Sequence, residues 1–292
     1  MKKLIIVCAV VLLLLFLLPS QAKAQYNEGR FAFKFYGGLN YLAGADLNDS
    51  MKGWSEYYAW GWGLLGYSTS NTFKAANLGM NFGGDFIFQF TPSMGVGLGV
   101  GYLQASSTSK INYTWLTPAL PDIDETYEVK ASAIPIKASF YYFLPTSGMI
   151  NVNLHAGVGY YLATAYARYR AEVLTLWEQN VYDNLPGGGI GFHGGIGLEF
   201  KLSPMIGVFV EGQGRYAAFS NFEGDALYTD SGGTSTTNTG KAWTFDATGA
   251  GHTFTLSVID TTAPSGSGIS NVRQTKVDFS GFSLVAGIIV RL

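Results

Sequence analysis

The 292-residue chain has one cysteine, three histidines and few charges: 13% of its residues are Asp, Glu, Lys or Arg, about half the usual quarter. A lone cysteine excludes a disulfide framework and a thiolate zinc centre. Positive charge is scarcer still beyond the first 24 residues, where fifteen basic residues face twenty acidic ones. That balance argues against a nucleic-acid partner, which would need a basic patch. After Leu18 no apolar run approaches the roughly 20 residues of a spanning helix. Yet 48% of the chain is hydrophobic and 15% aromatic.

The first residues have the layout of a cleaved secretory signal peptide. Lys2 and Lys3 precede an apolar run from Leu4 to Leu18, followed by the small-residue site Ala22-Lys23-Ala24. Cleavage is expected before Gln25, so 1–24 is read as signal and 25–292 as a single domain. Cys8 lies inside the apolar run and leaves with it.

An exported, greasy chain without helical spans has one natural solution in a membrane: strands closed on themselves, apolar outside and polar or small inside. Eight segments alternate in this way with period two. In the first, Phe31, Phe33, Phe35, Leu39 and Tyr41 oppose Ala32, Lys34, Tyr36, Gly38 and Asn40; in the third, Gly95, Gly97, Gly99 and Gly101 alternate with Val96, Leu98, Val100 and Tyr102. The others begin near 77, 133, 150, 189, 205 and 278. Short links near 91–93, 145–149 and 203–204 alternate with long ones near 43–73, 105–125, 167–188 and 218–276. The pattern predicts an all-β fold, a closed antiparallel transmembrane barrel of eight strands with ten left open, short periplasmic turns and long outer loops. Both termini then lie at the periplasmic end.

Within the loops, residues 231–241 are polar, low in complexity and expected to be mobile. The flanking pieces 241–245 and 252–260 are expected to form a hairpin above the membrane. The aromatic stretch 51–67 is read first as packing among loops, with a contact patch or a cap over the barrel mouth as alternatives. Outward aromatics gather at two levels, Tyr41, Tyr102, Tyr160 and Tyr216 above and Phe88, Phe90, Phe140, Tyr142 and Phe200 below, as two membrane interfaces select.

Candidate chemistry is sparse. Residues 189–194, Gly-Ile-Gly-Phe-His-Gly, spell a dinucleotide fingerprint, but no helix follows to hold a pyrophosphate. His155 and His193 are expected to face the interior on neighbouring strands, with Ser139 or Ser283 as conceivable nucleophiles, but no motif joins nucleophile to base. The densest polar set is Lys34, Asp85, Lys137, His155, Glu199, Glu211, Arg215 and Arg291, all expected inside. An eight-strand interior is just wide enough for side chains to fill. Charges there must pair, so an interlocked ion network that plugs the barrel is preferred to a conducting ring.

The segments 133–143, 151–161, 194–204, 209–217 and 281–292 resemble small outer-membrane β-barrels of the OmpX/OmpW type, especially Bacteroidetes-style members. The resemblance implies an outer-membrane location, outer-membrane lipids as surroundings and recognition by the barrel-assembly machinery. Roles implied are membrane integrity, adhesion or surface defence, and passage of small or apolar solutes. The expected protein is therefore a non-enzymatic structural or porin-like barrel without a cofactor, its loops meeting a solute or extracellular ligand. A narrow channel for small hydrophobic solutes comes second and a barrel-borne lipid hydrolase third.

Overall fold

The computed structural model describes residues 31–115, 120–144, 149–173 and 177–292. The signal peptide expected at 1–24 lies outside the described residues. Fourteen strands and one helix follow in the order β1 (Phe31–Ala45), α1 (Asp46–Leu64), β2 (Tyr67–Thr69), β3 (Leu78–Thr91), β4 (Met94–Trp115), β5 (Ile123–Leu144) and β6 (Ile150–Val173). Then come β7 (Trp177–Lys201), β8 (Ile206–Tyr216), β9 (Ala218–Phe219), β10 (Glu223–Asp230), β11 (Ser235–Gly249), β12 (His252–Asp260), β13 (Ile269–Gln274) and β14 (Val277–Arg291).

Antiparallel ladders join β1 to β3, β3 to β4, and so on through β7 to β8, then β8 to β14 and β14 to β1. The pairings thus run through the eight segments read from the sequence and return to their start. Phe31 and Leu292 meet at the short-turn end, where the Leu292 amide donates to the Phe31 carbonyl at 2.9 Å.

Three of the four long links are shorter or more ordered than expected. β4 continues to Trp115 and β5 starts at Ile123, while β6 runs to Val173 and β7 starts at Trp177. Most of 105–125 and 167–188 is therefore strand. The link 218–276 is a second set of strands. β10 pairs with the upper half of β7, from Asp225 opposite Asn184 to Asp230 opposite Gln179, whereas the lower half of β7 pairs with β8. The expected hairpin is present as β11 and β12, with Lys241 opposite Asp260 and Gly249 opposite His252. The low-complexity run 231–241 passes through the turn at 231–234 and then forms the start of β11, paired with β10 from Ser235 opposite Thr229 to Lys241 opposite Glu223. There backbone pairing makes a strand where the side chains gave no signal.

The fourth link holds α1. Leu47, Met51, Trp54, Tyr58 and Trp62 recur at helical spacing and turn inward, where Leu47 and Met51 are buried. Asp46 opens the helix and is bound by Arg273 Nη2 at 2.7 Å and the Lys276 amide at 2.9 Å. The end is closed by the Leu65 and Gly66 amides on the Trp62 and Gly63 carbonyls. At Gly53 any Cβ would overlap the Thr255 carbonyl, so glycine sets how closely the helix lies on β12.

The polarity of the wall inverts along its height. The row Gln104, Ser132, Thr164 and Pro186 runs across β4, β5, β6 and β7 in register. Below it the outer face is apolar, with Leu98, Val100, Ile134, Ile136, Val158, Leu162, Ile190 and Ile196 exposed. Above it the same face carries Lys110, Lys130, Glu128, Arg168, Arg170 and Asn184. The inner face does the reverse: charged and polar below, apolar above, where Ala105, Val129, Ala131, Ala163, Ala165 and Leu185 form the largest buried cluster together with Leu47 and Met51 of α1.

Candidate functional site

Every polar residue singled out from the sequence points into the ring, and the lower interior brings most of them together. Lys34 on β1 pairs with Glu211 on β8, both side chains almost fully buried. Glu211 also accepts from His155 Nε2 at 3.1 Å and from Gln213 Nε2 at 2.9 Å. Lys137 Nζ lies 2.9 Å from Asp85 and donates to Tyr36 Oη at 2.7 Å, while Tyr141 Oη donates to Asp85 at 2.9 Å. Nearer the short turns, Arg291 Nη2 meets Glu199 at 2.6 Å. Arg215 sits higher and is held by neutral acceptors: the carbonyls of Phe279 and Tyr41 at 2.7 and 2.9 Å, Ser283 Oγ at 2.9 Å, and Asn40.

The alternating glycines of β4 create this packing. A Cβ on Gly97 would come within 2.8 Å of the Tyr141 ring, and one on Gly99 would collide with the Asp85 carboxylate. Large side chains of β3 and β5 thus occupy the space that β4 leaves bare. Voids in the lower interior are about 30 and 10 Å³, room for one water or none.

Ser139 and His193 approach each other, with Oγ to Nε2 at 2.8 Å. The other ring nitrogen of His193, Nδ1, is buried without a hydrogen-bond partner among the described residues. A hydrolytic triad needs an acid at that atom. The fingerprint-like run 189–194 lies within β7 and continues as strand to Lys201. Among the described residues no group of three or more His, Cys, Asp or Glu is placed to hold a metal ion, and no helix is long and apolar enough to cross a membrane.

Two features above the polarity boundary escaped sequence reasoning. The first is Glu125 on β5, buried and bound by four donors: Trp62 Nε1 and Tyr169 Oη on one oxygen at 3.0 Å each, Tyr113 and Tyr127 Oη on the other at 3.0 and 2.7 Å. Burial raises its pKa above the ordinary carboxyl value, while the four hydrogen bonds pull it down. The group fastens the end of α1 to the wall. The second is a cavity of about 240 Å³ between α1 and the wall of β6, β7 and β10. Three of its lining rings are stacked on one another, Tyr58 on Tyr169 with ring centres 4.9 Å apart and Trp54 on Tyr58 at 5.7 Å. Its one charged lining residue is Asp183. Continued alternation in 163–171, alanines and Tyr169 against Thr164, Tyr166, Arg168 and Arg170, is the signal that would have extended these strands.

No family model matches the chain, and no curated protein sequence matches it. Among solved structures, the outer-membrane protein OprG of Pseudomonas aeruginosa is similar over 91% of this chain and 97% of its own, at 10% identity and a TM-score of 0.36. The toluene transporter TbuX of Ralstonia pickettii is similar over 91% and 90%, at 8% identity and a TM-score of 0.15. Neither likeness assigns the chain to a family.

Proposed function

We propose that the protein is a non-enzymatic integral outer-membrane protein, exported by its N-terminal signal and laid down as a closed eight-stranded barrel. The lower wall sits in lipid, and the upper wall stands outside the membrane around α1. The observation that carries this is the inversion of polarity at one row across four strands. Below that row only a hydrocarbon solvent suits Leu98, Ile136, Val158 and Ile196, all exposed; above it the same face carries charges suited to water. The polar set from Lys34 to Arg291 is then an interlocked plug, and the role is structural or surface-directed rather than conductive. Small voids in the lower interior support a plug over a pore.

A second reading, narrow passage of small apolar solutes, draws on the aromatic cavity above the row. A lipid hydrolase built on Ser139 and His193 has less support, since among the described residues no acid orients His193.

Single cysteines at Val158 and Thr164, reacted in reconstituted vesicles with a membrane-impermeant maleimide, test the placement. Thr164→Cys is expected to label and Val158→Cys to stay unlabelled; equal labelling would refute the membrane boundary. Planar bilayers are expected to show no conductance, and steady single-channel steps would overturn the plug.

A further inference from the structure

Three successive strands build the floor of the upper cavity. In the row Ala167, Asp183 and Ala226, both cross-strand neighbours of Asp183 are alanine. The row above is Tyr169, Val181 and Tyr228. Asp183 thus stands between two alanines across the strands, with Val181 and Leu185 next along its own strand face, and α1 roofs the cavity with Met51, Trp54 and Tyr58. Among the described residues no hydrogen bond or ion pair reaches the Asp183 carboxylate, and no other charged side chain lines the cavity.

A partly buried carboxylate without a partner is unfavourable, and aromatic faces attract cations. We propose that this cavity binds a small organic cation with an apolar body, a quaternary or tertiary ammonium. Asp183 is its countercharge, and the rings of Trp54, Tyr58 and Tyr169 are its walls. The volume, about 240 Å³, exceeds the roughly 150 Å³ of an engineered apolar cavity that holds benzene. A ligand of choline size therefore fits. A neutral apolar solute would satisfy the rings and leave the carboxylate as it was, which is why the charge decides the class. The site goes beyond the membrane role proposed above and does not require it.

Desolvation pushes the Asp183 pKa up to about 7. The other titratable groups facing the cavity are Tyr58 on α1, Tyr169 on β6 and Tyr228 on β10, all raised above the ordinary phenol value; β11 and β12 present none to it. Only Asp183 changes charge near neutrality, so cation binding weakens about tenfold per pH unit below about 7 and levels off above it.

Calorimetric titration of the purified full chain with choline, and with its neutral isostere 3,3-dimethylbutanol, tests the proposal. Choline is expected to bind saturably near pH 8, at least tenfold more tightly than the isostere and at least tenfold more tightly than near pH 5. Asp183→Asn is expected to abolish the preference for choline without lowering the melting temperature. Ala226→Leu, which fills the cavity from the next strand, is expected to block binding by a separate route and supplies the test if Asp183→Asn fails to fold. Equal binding of the two probes, full choline affinity in either variant, or no saturable heat at any millimolar concentration would overturn the proposal.

Discussion

Replacing Glu211 by alanine leaves the Lys34 ammonium without its carboxylate in a place water hardly reaches. The two side chains are 3% and 0% exposed, and His155 and Gln213 lose an acceptor at the same time. Breaking a buried pair by removing one partner costs about 3–5 kcal/mol, whereas replacing both with apolar groups of similar volume is close to neutral. Glu211→Ala should therefore lose about 3–5 kcal/mol in urea-driven unfolding from lipid vesicles, and Lys34→Met combined with Glu211→Leu should lose no more than about 1.5 kcal/mol. Conductance should stay at the bilayer baseline in both, because Tyr141 and Phe209 still fill the space around Lys34. A double variant as unstable as the single one would refute the pairing argument. Open-channel steps in Glu211→Ala alone would show that the network gates a pore.

Gly97→Val brings a side chain onto the Tyr141 ring, whose nearest atom lies 2.8 Å from the built Cβ. A loss of about 1–3 kcal/mol is expected, and Tyr141→Ala should relieve the clash; an unstrained single variant, read by heat-modifiable gel mobility, would mean a roomier interior. Asp183 changes stability with pH in a defined sense. Its pKa rises from 3.8 to about 7 on folding, so the fold loses up to about 4 kcal/mol as pH climbs from about 4 to 7 and nothing further above. Asp183→Asn should thus be more stable than the parent near pH 8 and equal to it near pH 4 in chemical unfolding; the reverse order would refute the sign. Ile196→Arg on the lower outer face should cost about 2–4 kcal/mol in vesicles, while Thr164→Arg, in the boundary row itself, should cost no more than about 1 kcal/mol; equal costs would remove the case for a bilayer edge at that row.

The eight ring strands were legible because lipid-type alternation leaves bulky apolar residues on one face and small or polar ones on the other, as in 31–41 and 94–103. The inward direction of Lys34, Asp85, Lys137, His155, Glu199, Glu211, Arg215 and Arg291 followed from the same parity. Which of them pair did not, since Lys34 and Glu211 are 177 positions apart and local pattern carries no register between distant strands. Above Ser132 and Thr164 the apolar face changes sides, and a rule tuned to apolar-out strands reads the same alternation as loop. Glu125 and Asp183 were missed for that reason. The helix was missed because Trp54, Tyr58 and Trp62 sit among other aromatics in the same stretch, which blurs the helical stripe that Leu47 and Met51 begin.

The seam between the first and last ring strands constrains the order of assembly. Ala32 lies opposite Arg291, so the chain must be all but complete before this ladder can form. The helix that follows the first strand rests on β12 and is tied at its start to Arg273, residues that emerge late in synthesis. Neighbouring hairpins such as those of 78–115 and 123–173 close over short distances, but these two contacts close over more than two hundred residues, and distant closures slow folding. A truncated chain ending before residue 250 would keep the hairpins of 78–115 and 123–173 and lose both the seam and the strand on which α1 rests. Closing the ring and seating the helix thus both wait for the C-terminal strands.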